Sequence, residues 1–513
     1  MKQNDLYVNI DGDFFFSRQK GIIMSSLIRE FFSAEMTYTN WSFMLLVLIL
    51  AGLYYIVPVK IRWLVLLAGS AVFYYSAVGR DTESLLLFGG TIAFSYAGGL
   101  ILSKHKNRWL RDLIILISVL PLLIVKGNVF IARGIFHRGF ENLLAPLGLS
   151  FYSLQIYAYL YDVYKGRISP EKNILKYSLF ISYFPQIMQG PIPRYSALGS
   201  QLFGEHRFNS DETVKGFQLV LWGFFLKYMI AEKAAIVVNT VFSDSRMYQG
   251  VFSLVAGILY SIQLYADFLA CVCICKGVSE LFGIHLGENF LQPYRSRTIK
   301  EFWRRWHISL STWLRDYVYI PLGGSRKGKL RKYINLTVTF LISGAWHGNG
   351  YRFIAWGLLH AVYQILGDFL RPVTLKLKKL AGIKKDSKAE IYIDRIVTFS
   401  LVMLAWIIFR ADSLHQGIDM AASIFRVHNV WVLFDDSLLT LGLEWKEICL
   451  LLMSVCLLFR MEAVQEKGSI REKIIRQPLI IRWAIYFAAI AVIIIFGMYG
   501  FGFNSSDFIY RGF

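Results

Sequence analysis

The chain has 513 residues, of which 55% are hydrophobic and 18% charged, with a mean hydropathy of +0.46. A globular interior of that length cannot hold so large an apolar load, so much of it must face lipid, and the soluble enzyme classes are excluded. The formal net charge of +20 resides in short Lys/Arg clusters between apolar segments. That is the pattern of a positive-inside membrane protein and not of a nucleic-acid-binding face, so no nucleic-acid partner is expected.

Residues 1–40 are mixed and charged, show no cleavable signal peptide, and read as a leader without an assigned role. From Trp41 onward, apolar runs of spanning length fall near 42–57, 61–78, 84–103, 112–130, 143–163, 214–231, 251–275, 352–370, 393–409, 445–459 and 480–500. The expected fold is all-α: a polytopic membrane protein of roughly 11 spanning helices in one membrane domain over 41–513. Two segments read as re-entrant. Pro185, Gly190, Pro191 and Pro193 interrupt 174–193, and Gly344 and Gly348 interrupt 334–347.

Loop charge sets the expected orientation. Lys60 and Arg62, the cluster at 104–111, and Lys165, Arg167, Lys172 and Lys176 mark cytosolic loops, while Asp81 and Glu83 mark an outer one. Further on, 371–388 and 460–482 are Lys/Arg-rich and 410–444 carries more acid. Both termini are therefore expected outside the cytosol, at a multi-pass cell membrane.

The five cysteines make no disulfide framework, and no metal-ligand set is expected. On a helix Cys271 and Cys275 share a face and Cys273 points away, as suits small buried hydrophobes. The residues that burial does not explain are two histidines about forty positions apart. His347 ends an apolar run in Trp346-His347-Gly348, followed by Gly350, where glycines allow close approach. Ionisable groups at membrane depth are costly and mark function, although a structural histidine bonded to a carbonyl is the plainer alternative. A neutral imidazole suits removal of a proton from a hydroxyl during acyl transfer.

His307 lies among Arg304, Arg305, Arg315 and Asp316, with Trp303, Trp306 and Trp313. The surrounding tryptophans read as an anchor at the membrane surface, and the arginines suit an acidic carrier or phosphorylated donor. His360, thirteen residues past His347, reads as a supporting or packing residue.

The stretch 302–326, with His307, Asp316, Tyr317, Pro321, Leu322, Gly323 and Gly324, resembles the signature of the membrane-bound O-acyltransferase family. It is most similar to the subgroup of the alginate O-acetylase membrane subunit and the acyltransferase of teichoic-acid D-alanylation. Trp346-His347-Gly348 matches the family's invariant-histidine motif, and His307 its upstream His/Asn position. Other matching blocks are Pro146 to Tyr152, Tyr161 to Tyr164, Phe184-Pro185-Gln186, Gly190 to Arg194, Phe409-Arg410-Ala411 and Phe496 to Gly500. One departure stands out: Asp267 is kept, but Leu269 to Cys275 replaces the small residues and second acid usual after it.

The resemblance implies helices around a funnel or tunnel and catalysis by His347 and His307. His360, Asp267 and Asp316 then stand as supporting residues, and Arg304, Arg305 and Arg315 on the donor side. It implies no bound cofactor. The donor is an acyl thioester such as acetyl-CoA or an acyl carrier, and the acceptor an exported polysaccharide hydroxyl or a secreted partner that completes the transfer. D-alanyl transfer to teichoic acid is the alternative within the family. A transporter using the histidines as a proton relay, or a non-catalytic export component, is the alternative outside it.

Overall fold

A computed structural model describes residues 36–79, 81–131 and 146–499. Most of the leader, the segment 132–145 and the end of the Phe496–Gly500 block fall outside these residues. Where the leader is described it belongs to the packed body. Met36 and Tyr38 are fully buried, and the Tyr38 hydroxyl donates to the Phe184 carbonyl at 2.9 Å.

The chain is nearly all helix. Among the described residues, five helices are long and apolar enough to cross a membrane: Thr82–Lys104, Val251–Glu280, Tyr351–Leu380, Lys388–Arg410 and Leu479–Phe496. Helices α1 (Trp41–Ile56), α2 (Arg62–Ala77), α3 (Thr82–Lys104) and α4 (Arg108–Ile131) follow one another through short loops, which makes them antiparallel neighbours. Helix α5 (Leu149–Tyr164) packs on α3 and α4. It starts at Gly148, where φ is +73° and an added Cβ would lie 2.4 Å from the Ile187 carbonyl, so only glycine fits there.

The expected re-entrant segment 174–193 is found. Helix α6 (Ile174–Ser182) enters the body, 183–192 continues as buried irregular backbone, and α7 (Tyr195–Leu202) begins where α6 began, with the Tyr195 hydroxyl on Glu171 at 2.5 Å. Irregular backbone at this depth needs protein partners. Ser70 accepts from the Phe184 N–H and Gln186 from the Gly190 N–H.

The run expected over 214–231 is longer in the structure. Helix α8 (Ser210–Phe225) passes through a π turn at Leu226–Ala231 into α9 (Glu232–Ser243). Glu232 and Lys233, just past that run, are both buried. Lys227, one turn earlier, is 2.7 Å from Glu232 and 2.8 Å from Asp267, so the charges are matched inside the body. Breaking such a pair by removing one partner typically costs about 3–5 kcal/mol.

Asp267 lies on α10 (Val251–Glu280), the central helix, whose most apolar stretch is 78% buried against 11% for α19 (Leu479–Phe496). Helices α8, α9, α15 (Lys388–Arg410) and α16 (Leu414–Arg426) surround α10. Cys271 and Cys275 face the same way on it, with their sulfurs 3.9 Å apart.

Two short helices, α11 (Ile299–Arg305) and α12 (Ile308–Leu314), form a second inward-dipping hairpin that the sequence reading took for a surface anchor. Arg297 before it binds Asp386, Glu390 and Asp394, while Asp316 and Tyr317 after it reach Arg194 and Asp162. Both arms thus open at the Lys/Arg-rich end of the bundle. Trp306 and Trp313 are buried, not surface-seated, because the hairpin carries them inward.

The second expected interruption, 334–347, is instead a continuous helix, α13 (Lys329–His347). Gly344 is a contact point and not a breaker. A Cβ there would lie 2.3 Å from the Phe353 carbonyl, and one on Gly357 would lie 2.3 Å from the Phe340 carbonyl. These small residues let α13 and α14 (Tyr351–Leu380) approach closely. The break comes only at 348–350, immediately after His347. Helix α17 (Trp445–Gln465), the short α18 (Ile470–Ile475) and α19 complete the described chain.

Candidate active site

His307 occupies the tip of the α11–α12 hairpin in the left-handed conformation, with φ +43° and ψ 55°. Among non-glycine residues only Asn, Asp and His enter this region with any frequency, and such a conformation persists when neighbours fix it. Asn289 does so. Its carbonyl accepts from the Ile308 N–H at 3.0 Å and its side-chain oxygen from the Ser309 N–H at 3.1 Å, satisfying two orphan donors of α12. Nothing in the sequence marked Asn289, which lies eighteen residues upstream in an irregular segment.

The imidazole of His307 is buried and meets the Phe268 ring at 4.8 Å and that of Trp346 at 6.1 Å. Phe268 follows Asp267, so the Lys227–Asp267 pair fixes the stretch of α10 that presents this ring. Glu232, carried by α9, pairs with the same lysine.

His347 ends α13 and is also buried. Its ring is enclosed by Trp346 at 4.9 Å, Trp356 at 5.0 Å and Phe409 at 5.4 Å. His360 lies on α14, where its Nδ1 accepts from the Trp303 indole at 3.3 Å. Its ring lies 5.1 Å from Trp356, which therefore bridges two imidazoles. Among the described residues, His360 Nε2 and the Trp356 indole N–H have no hydrogen-bond partner. Three histidines thus share one buried aromatic chamber.

The matching sequence blocks build the walls of this chamber. Ser150 and Leu154 of α5 take the indole N–H groups of Trp346 and Trp313 at 3.1 and 2.9 Å. Asp162 accepts from the Tyr317 hydroxyl at 2.7 Å. Phe409 covers His347, and the Ala411 carbonyl is bonded by Arg352.

The remaining sequence-derived residues lie apart from the histidines. Asp316 pairs with Arg315 at 2.8 Å and Arg194 at 3.5 Å, near the basic end. Arg305 pairs with Glu301 at 2.8 Å, and Arg304 is exposed. Asp267 reaches the chamber through Phe268.

Residues 142–411 match the model described as MBOAT, membrane-bound O-acyltransferase family. The chain is 35% identical over 398 residues to the probable alginate O-acetylase AlgI of Pseudomonas fluorescens, covering 76% of each chain. It is 32% identical over 409 residues to the peptidoglycan O-acetyltransferase of Helicobacter pylori, covering 72% of this chain and 74% of that one. To the teichoic acid D-alanyltransferase of Streptococcus thermophilus it is 28% identical, over 60% of this chain and 77% of the relative. With this match over more than half of its length and its apolar helices, the chain belongs to the membrane-bound O-acyltransferase family and is an integral membrane acyltransferase.

Proposed function

We propose that the protein transfers a small acyl group, acetyl first, from a cytosolic thioester donor to a hydroxyl of an exported polysaccharide or of a partner that completes the transfer. The observation carrying this reading is the buried chamber of His307, His347 and His360 in a chain similar to O-acetylases over three quarters of its length. In this reading His347 takes the proton of the acceptor hydroxyl as its oxygen attacks the thioester carbonyl carbon. The C–S bond then breaks, and the leaving thiolate takes up the proton that His347 removed from the hydroxyl, which restores the neutral imidazole. The Trp356 indole N–H, beside His347, is a donor for the oxyanion. Aromatic walls exclude the water that would hydrolyse the thioester.

The donor is expected at the basic end, where Arg304 is exposed and the 104–111 and 371–388 clusters attract an anionic thioester or acyl carrier. Purified protein in proteoliposomes, supplied separately with labelled acetyl-CoA and with a D-alanyl-carrier, tests the reading by the mass of the product. Acetylated acceptor supports it. D-alanylated product alone moves the protein to the second reading, which the D-alanyltransferase relative supports. Solute movement with the thioester intact would return it to the transporter class.

The same reading places both termini outside the cytosol. Lys385→Cys is expected to resist a membrane-impermeant maleimide in intact cells while Asp435→Cys reacts, because 371–388 is basic and 410–444 acidic. Labelling at position 385 alone would invert the orientation.

A further inference from the structure

We propose that Glu462, in the last turn of α17, is a positioning residue for His307. Through Tyr265 and the 289–298 segment it holds the α11–α12 hairpin where the His307 imidazole meets the chamber. The inference rests on the reading of His307 as part of the reacting site.

Leu451, Ser454, Leu458 and Glu462 are the buried residues of α17, at the spacing of one helical face. The last member of that stripe is therefore a carboxylate, 5% exposed, where an apolar side chain would pack without cost. Such a group is expensive in a membrane helix and marks function by default. Helix α17 also lies beyond residue 411, where the match to the family model ends.

Glu462 accepts from the hydroxyl of Tyr265, a buried residue of α10. The Tyr265 ring meets Phe290 at 5.5 Å and Trp306 at 6.0 Å. Phe290 follows Asn289, which fixes the start of α12, and Trp306 precedes His307. One turn along α10 from Tyr265, Phe268 meets the His307 ring. The backbone of Glu462 adds a second tie, its carbonyl accepting from the Gln292 side chain at 2.7 Å. Glu466 adds a third, pairing with Arg295 at 2.7 Å. The segment so held is joined to α11, where the Leu291 N–H donates to the Arg305 carbonyl at 3.0 Å.

The plainer reading is that Glu462 merely joins α17 to α10. Backbone strain favours positioning. Among the described residues, the non-glycine residues with positive φ are Gln292, His307 and Asp386. Gln292 is bonded to Glu462, His307 is the hairpin tip, and Asp386 pairs with Arg297 just before α11. Such conformations persist where the surroundings over-determine them, and they cluster at functional sites. All three lie on the hairpin segment or on a group that holds it, and joining two helices would require none of them.

The test has two arms, applied to wild type, Glu462→Leu, Glu462→Gln, Tyr265→Phe and the Tyr265→Phe/Glu462→Leu double variant. The first follows hydrogen exchange by mass spectrometry in the detergent-solubilised full chain. Glu462→Leu should speed exchange within 289–309 about 10-fold or more while 329–347 stays as in wild type. The second measures transfer in proteoliposomes from labelled acetyl-CoA to a panel of neutral and acidic oligosaccharides. There Glu462→Leu should lower kcat about 10–100-fold with the KM for acetyl-CoA unchanged. Glu462→Gln, whose amide oxygen still accepts from Tyr265, should restore both readouts. Tyr265→Phe should resemble the Leu variant, and the double variant should lose no more than the worse single one. Should leucine lower the yield of folded protein, Tyr265→Phe carries the test, because it leaves the aromatic packing in place. Wild-type exchange and kcat in both Glu462→Leu and Tyr265→Phe would overturn the proposal. So would losses that multiply in the double variant, or exchange that rises along α17 but not in 289–309 while kcat per folded molecule is unchanged. Wild-type transfer that is absent in His347→Gln establishes the underlying reading separately. The exchange arm needs no substrate, so a failure of that reading leaves the positioning result standing or falling by itself.

Discussion

His347→Ala should abolish acyl transfer while the protein remains membrane-inserted and folded. The imidazole is buried at the end of a helix and is held by Trp346, Trp356 and Phe409. General base catalysis contributes about 10²–10⁴-fold, so the defect should appear as a collapse of kcat and not merely as a rise in KM. Alanine also opens a cavity between aromatic rings, which lowers stability and muddies the result. His347→Gln removes that ambiguity because it keeps polarity and approximate bulk but cannot carry the proton. It should fail as completely as alanine, with detergent-solubilised protein eluting and melting as wild type does. A glutamine variant that transfers acetyl at a near-normal rate would end the general-base assignment.

How much of this was legible beforehand varied with the physical signal. Apolar length gave the helices well, since a span of hydrocarbon needs about 20 apolar residues whatever its neighbours. Pattern reading failed where side chains were satisfied by distant partners. Glu232 lies just past the run 214–231, and only the fold brings it within 2.7 Å of Lys227. Gly344 looked like a break, but its missing Cβ is what lets α13 and α14 touch. Trp306 and Trp313 had the composition of an interfacial belt, yet the left-handed turn at His307 folds them inward, and composition carries no record of that turn. The histidines themselves were visible because imidazole is conspicuous in apolar sequence. Asn289 was not, because an Asn in an irregular segment is ordinary until its neighbours are known.

The turn at His307 sets up the last expectation, in which backbone and imidazole can be separated. His307→Ala loses the ring and also places a strained residue at φ +43°, a conformation that costs roughly 1–2 kcal/mol for most side chains. His307→Gly and His307→Asn keep that backbone accessible, because both residues enter the left-handed region readily. If His307 matters only as the hinge of the α11–α12 hairpin, the Gly and Asn variants should recover both thermal stability and transfer, and alanine should lose both. If the imidazole takes part in handling the donor at the chamber's base, all three should lose transfer by about 100-fold, while Gly and Asn melt close to wild type. The second pattern is the expected one. Its ring stacks edge-on against Phe268 and shares Trp346 with His347, a placement that anchoring the hairpin does not require. Donor titrations decide between them: wild-type transfer by the Gly or Asn variant at every acetyl-CoA concentration would reduce His307 to a structural turn.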